Sequence, residues 1–222
     1  MNQEGNQLTV SNTNQSVSAF KSHDSFVTAQ RMATALSAST VVPKEYQGNV
    51  ANCLVALELA HRVGVSPLMV MQNTDIIHGR PSWKSTFIIA AVNGCGMYAP
   101  LRFEFSGTGD EWGCVAVTTD LRTGEVVRGP RISIAMAKAE GWWSKKDKYG
   151  KETSKWQTMP ELMLQYRSAA FFGRLYIPHI LQGMHSTDEY QDIGHGPRVV
   201  NQPSAVANIN AQILGTDDAE IM

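Results

Sequence analysis

Two arginines, Arg167 and Arg174, stand seven positions apart in the run SKWQTMPELMLQYRSAAFFGR, residues 154–174. On a helix turning about 100° per residue they fall about 20° apart, with Ala170 between them and Met163 beside them. Leu162, Ala169, Phe172 and Tyr176 point the opposite way, so most of such a helix is buried. A guanidinium there needs a carboxylate, a carbonyl, water or an anionic ligand. Its planar fork suits phosphate oxygens, and small Ala170 lets a bulky partner approach. Directly before the helix comes WWSKKDKYGKETSKW, residues 142–156. Lys145, Lys146, Lys148, Lys151 and Lys155 alternate there with Trp142, Trp143, Tyr149 and Trp156. Lysines neutralise phosphates, and aromatic rings stack on unpaired bases for ~1–3 kcal/mol each. The chemistry these types can do is non-covalent capture of a single-stranded polyanion.

Each feature has a plainer reading. The arginines could close internal salt bridges to Glu58, Glu104 or Asp188, since buried cations are usually paired. The tryptophans could anchor the loop in the core, which is the better expectation for Trp156. The lysines could be solubilising surface. With Gly150 and its flanking charges, the loop is expected to be mobile and to order on binding.

The charge distribution favours the polyanion. The whole 222-residue chain has a formal net charge of −1. Yet residues 121–174 carry eleven basic residues, Arg128 among them, against five acids. Such a segregated basic block draws polyanions. Beyond Gln182 the balance reverses, with Asp188, Glu189, Asp192, Asp217, Asp218 and Glu220 against Arg198.

Other chemistries lack their residues. There is no G-x-x-x-x-G-K-[ST] phosphate loop, no H-x-E with P-C-x-x-C, and no H-E-x-x-H. The histidines are scattered. Glu104 is the lone acid of its strand, and Asp110-Glu111 sits in a turn, so no carboxylate cluster suggests a metal nuclease. Cys53, Cys95 and Cys114 are far apart and odd in number, which suggests neither a disulfide framework nor a zinc site. No cofactor, metal or catalytic residue is expected. No apolar run approaches the ~20 residues that span a bilayer, and the start of the chain does not read as a signal peptide. A cytoplasmic protein without a membrane partner is expected.

The elements that must position these residues follow from caps and periodicity. Hydrophobic residues are 43% and charged residues 18%, an ordinary globular balance. Residues 1–22 and 192–222 are expected to be flexible tails, the second acidic, around a core at 23–191. A helix is expected from Asp24 to about Ser37, capped by Asp24 or Ser25. A second begins at the Asn49 cap and ends at Gly64, with Ser66-Pro67 as a stop and Val50, Leu54, Leu57 and Leu59 facing the core. DIIHGRPSW reads as a hairpin. Ser85 is expected to cap a buried helix that Gly94 or Gly96 ends. LRFEF, WGCVAVTT and EVVRGP alternate as an antiparallel meander. A helix over about 133–139 leads to the lysine loop. The arginine helix is expected to open with a Thr158/Glu161 capping box and run to about Tyr176. The fold class is therefore α+β, a small antiparallel β-meander packed with helices.

Over about residues 40–193 the sequence resembles the RecT and phage lambda Red-beta superfamily of single-strand DNA annealing proteins. The resemblance rests on VPKEYQGN, LVALELAHRVGVSPL, IIHGRPSW, LRFEF and above all KWQTMPELMLQYRSAAFFGR with TDEY downstream. The ordered set carries it. It differs at the start of the arginine helix, where Glu161 and Leu162 stand in place of basic residues. No separate C-terminal recruiting domain is expected, only the acidic tail. The resemblance implies an α+β core and ATP-independent binding and annealing of single strands in phage-type recombination inside a bacterial host. It also implies assembly of copies into a ring or helical filament, with a phage exonuclease or host single-strand binding protein as partner. Carried over by position, Arg167 and Arg174 become residues of a basic groove and the lysine loop its wall. DNA contacts are thus expected from Lys145, Lys146, Lys148, Lys151, Lys155, Arg167, Arg174 and Arg128. The rival expectation is an oligomeric phage structural or recruiting protein whose basic loop docks an acidic protein. A metal-dependent nuclease is a third and weaker one.

Overall fold

The computed structural model describes residues 18–77 and 79–192. The two expected tails lie outside the described residues except at their inner ends, and so does His78 in the hairpin turn.

Local capping explains the first helices. Ser22 and Ser25 exchange reciprocal bonds and open α1 (His23–Ser37), so the cap falls earlier than expected. Ser18 and Ala19, placed in the expected tail, both donate to Glu58. Asn49 Oδ1 accepts the Asn52 N–H at 3.0 Å to open α2 (Val50–Val63), and Gly64 closes it at φ 75°. Leu57 is buried on α2, whereas Val50, Leu54 and Leu59 are half-buried against the same core. Ser66-Pro67 is not a stop. Ser66 Oγ caps Met69 and Pro67 takes the first turn of α3 (Pro67–Asn73), where a missing N–H does no harm.

The expected hairpin pairs β1 (Thr74–Ile77) with β2 (Arg80–Trp83), Thr74 opposite Trp83. Then comes α4 (Ser85–Gly94), whose cap position is Lys84, not Ser85. The Ser85 hydroxyl instead donates to Asp188, 103 residues on.

The meander forms as β3 (Arg102–Ser106), β4 (Gly113–Thr119) and β5 (Val126–Arg128), all antiparallel. Gly129-Pro130 breaks the last strand, and β6 (Ile132–Ser133) rejoins β4 beyond the break. Ala116 still accepts from Gly129 at 2.8 Å, but donates its own N–H to Ser168 Oγ at 2.6 Å. A buried serine one residue from Arg167 thus completes the sheet's bonding and sets the register of the arginine helix. Ser133 caps α5 (Ile134–Ala139).

The arginine helix is α7 (Pro160–Tyr176). A short helix, α6 (Lys155–Thr158), precedes it and takes up Thr158, so the expected capping box does not form and Met159 is the cap. Glu161 in the first turn suits the positive end of the helix. Pro178 forbids continuation and starts α8 (Pro178–Leu181). Last comes α9 (Thr187–Asp192), which includes Asp192, expected as the start of a tail.

The architecture is α+β, with small antiparallel sheets and packed helices. The two buried clusters meet along α7. Its second half, with Ala170 and Phe172, joins α1–α4 and α8. Its first half, with Met163 and Leu164, joins Cys114, Ile132, Trp142 and Trp156. At Gly173 the helices are so close that a Cβ would stand 2.8 Å from Ile88 and 2.9 Å from Leu181. Among the described residues no single helix is long and apolar enough to cross a membrane.

Candidate nucleic-acid interface

The first part of the site is a clasp between α7 and α9. Arg167 is 2% exposed. Its guanidinium lies 4.0 Å from the Trp142 ring centre and 5.9 Å from that of Trp156. Nη2 donates to Asp192 Oδ2, and Trp156 Nε1 donates to the same oxygen at 3.0 Å. Nη2 also reaches the Asp188 carbonyl at 3.4 Å, while Nε has no partner. Burial pulls the Arg167 guanidinium below its ordinary value, against the opposing pull of Asp192, Glu189 and Asp188. Burial likewise pushes the Asp192 carboxyl up, against the Trp156 hydrogen bond and Arg167. Arg167 keeps its charge, because a guanidinium does not release its proton in a protein.

Arg174 is in a wetter place, its side chain 29% exposed, and pairs with Glu189 Oε1 at 2.9 Å. Its Nη1 lies 2.8 Å from His185 Nδ1. Arginine has only donors, so Nδ1 must accept, which puts the imidazole proton on Nε2. Glu189 also accepts the Ser186 N–H at 2.8 Å, and Ser186 Oγ accepts the Glu189 N–H at 3.2 Å. That reciprocal pair is a capping box. Asp188 takes Ser85, and Thr187 donates to Asp75 at 2.8 Å, so α9 is tied to α4 and the hairpin as well.

The arginines therefore do close internal pairs, but not with the acids expected. Glu58 binds Arg62, Glu104 binds Arg128, and Asp188 offers Arg167 only its carbonyl. The partners are Asp192 and Glu189. The stretch S-T-D-E at 186–189 carries the capping-box spacing that announces α9, a signal that TDEY taken alone does not show.

The second part is the lysine loop, and it is folded rather than loose. Glu152 Oε1 accepts backbone N–H groups of Lys145 at 2.7 Å, Thr153 at 3.1 Å and Ser154 at 2.9 Å. Its Oε2 accepts Ser144 Oγ at 2.6 Å. These bonds to the ionised form hold the Glu152 carboxyl down to about 2. Asp147 Oδ1 accepts the N–H groups of Tyr149 at 2.8 Å and Lys151 at 3.0 Å, and Gly150 at φ 79° makes the tip. Ser154 Oγ ties the base to the Trp142 carbonyl at 2.7 Å. Both loop acids are thus engaged by backbone. The five lysines are all exposed, and none forms an ion pair among the described residues. Lys145 Nζ reaches the Gln191 carbonyl at 2.7 Å, which joins loop to clasp. Lys148 lies 4.9 Å from the ring centre of Tyr149, itself 81% exposed.

Trp142 and Trp156 are core, the plainer of the two roles open to the loop tryptophans. Arg128 stands apart. It holds Glu104 at 2.5 Å on the exposed face of the sheet, and its carbonyl accepts from Tyr176 at the far end of α7. The structure therefore brings together the lysine loop, Arg167 and α9, with Arg174 two turns along, and leaves Arg128 outside. No family model, curated protein or solved structure matches the chain.

Proposed function

We propose that this protein binds single-stranded DNA and anneals complementary strands without ATP, as a RecT or Red-beta-like core acting in phage-type recombination in the bacterial cytoplasm. The observation that carries the reading is the lysine loop. Its two carboxylates face its own backbone, while its lysines and Tyr149 face solvent on a hydrogen-bonded frame. A hydrogen-bonded frame that carries cations and an exposed ring suits phosphates and unpaired bases. Lys145, Lys146, Lys148, Lys151 and Lys155 contact phosphates, and half-open Arg174 extends the track. Arg167 is a positioning residue that fixes the loop's base through Trp142 and Trp156. Holding the strand by its backbone leaves base edges free to test pairing, and neutralising both strands removes their repulsion. Copies of the chain assemble along the strand as a ring or filament, beside an exonuclease or a host single-strand binding protein. No bond is broken, so no general acid or base is needed.

Annealing of two complementary dye-labelled oligonucleotides without ATP, across a salt series, tests this. The wild type should accelerate annealing, more so at low salt. Replacing Lys146, Lys148, Tyr149 and Lys151 with alanine should abolish the acceleration while circular dichroism stays native. A wild type that neither binds nor anneals single strands would defeat the proposal and turn attention to an acidic protein as the loop's partner.

A further inference from the structure

We infer that the cleft between the β3–β4 turn, α5 and the foot of the lysine loop is a stacking pocket for one base of a single strand held by that loop. The inference rests on the DNA-binding reading above and names a subsite for it. The cleft has a volume of about 500 Å³, within the range of sites that take a small planar group. Trp112 and Trp143 face it, with Ile134 and Pro160 as apolar walls and Lys138 and Asp110 at the rim.

Its two indoles differ from the other tryptophans around α7. Trp142 and Trp156 are buried, and both face the Arg167 guanidinium. Trp112 and Trp143 are only half-buried. Trp112 rests on Phe105, ring centres 5.9 Å apart, and Trp143 has Lys138 Nζ at 5.4 Å. The indole N–H groups of Trp112, Trp143 and Trp142 donate to no group among the described residues, whereas those of Trp83 and Trp156 both do. Two half-buried indoles lining one cleft suit a flat ring that can stack on them, as every nucleobase can.

The surroundings select a nucleotide over a neutral aromatic. Trp143 is followed at once by Ser144 and Lys145, so the cleft opens at the base of the cationic loop. Lys138 adds a cation at the mouth, tethered to Asp110 at 2.6 Å. That pair keeps the rim near neutral, so the phosphate belongs on the loop lysines and only the base enters. Gly107, Thr108, Gly109 and Asp110 of the β3–β4 turn line the opposite side; Gly107 turns at φ 79°, and a Cβ there would strike the Glu111 carbonyl.

The test uses the full chain, a labelled oligo(dT), and an abasic strand with the same number of phosphates. Oligo(dT) should quench tryptophan emission and bind about tenfold tighter than the abasic strand. Trp143→Leu and Trp112→Leu should each weaken oligo(dT) binding by about fivefold or more, with abasic binding and the salt slope unchanged. If either variant fails to fold, Trp143→Phe and Trp112→Phe in a Tyr149→Ala background decide, because the exposed Tyr149 ring also favours oligo(dT) over the abasic strand. Equal binding of the two strands, or wild-type oligo(dT) affinity in both folded variants, overturns the pocket and leaves DNA binding standing. If neither strand binds, the DNA-binding reading falls and the pocket falls with it.

Discussion

The clasp and the lysine loop both carry cationic residues, and they meet at Trp142, yet their charges have opposite fates. In the clasp, Arg167 and Arg174 are drawn inward and answered by Asp192 and Glu189. In the loop, Asp147 and Glu152 are drawn inward by backbone N–H groups, and the lysines are left facing water. The difference lies in what each acid finds first. A carboxylate in a tight turn is within reach of several amide donors and commits its lone pairs to them. A carboxylate at the end of a helix laid across an arginine finds the guanidinium. Low dielectric around Trp142 and Trp156 then makes the pair indispensable, because either charge alone would be stranded.

The sharpest way to break the comparison is Arg167→Ala. It leaves Asp192 buried without its cation and should lower stability by about 3–5 kcal/mol, read by urea denaturation. Replacing both partners, Arg167→Met with Asp192→Leu, should recover most of that loss. If the single variant unfolds no more easily than wild type, the clasp is not structural. The loop should behave in the opposite way. Lys146→Ala, Lys148→Ala and Lys151→Ala together should leave stability within about 0.5 kcal/mol per site. The same triple variant should reduce the salt slope of single-strand binding by about 2, at ~0.7 for each phosphate no longer neutralised. An unchanged slope in fluorescence anisotropy would remove these lysines from the interface.

A smaller effect comes from acid. The folded loop holds Glu152 near 2, below its ordinary 4.5, so the ionised carboxylate supports the fold. That support is complete above about pH 4.5 and fades as pH falls toward 2. Amide resonances of Lys145 and Ser154 should shift across this window, and Glu152→Gln should abolish the shift. A small effect is also expected at Arg128→Ala. Its pair with Glu104 is more than half exposed on both sides, so the change in stability should stay within about 1 kcal/mol by thermal melting.

Sequence patterns reveal the elements whose signals are local. Asn49 and Gly64 bracket α2, alternation marks β3 and β4, and Pro178 stops α7, each through chemistry within a few residues. Elements whose ends depend on distant partners are harder to read. Nothing near Gly129-Pro130 shows that β6 returns to β4, or that Ser168 supplies the missing acceptor. The site is legible in kind but not in pairing. That Arg167 needs a partner follows from the apolar helix around it. That the partner is Asp192 depends on α9 crossing back to the hairpin and α4, which no periodicity encodes. The loop's hydrogen-bonded frame escapes the sequence for a related reason. D-K-Y-G-K-E reads as charged and flexible until the two acids are seen as turn acceptors.

The clasp also sets an order of assembly during synthesis. Asp192 leaves the ribosome 25 residues after Arg167, a lag of roughly 1–5 seconds at ordinary elongation rates. Until it arrives, the guanidinium has no carboxylate to meet between the two indoles and must stay hydrated. The cluster around Trp142 and Trp156 therefore cannot close its ion pair before Asp192 emerges, and a nascent chain stalled between these two residues would carry an open tryptophan slot.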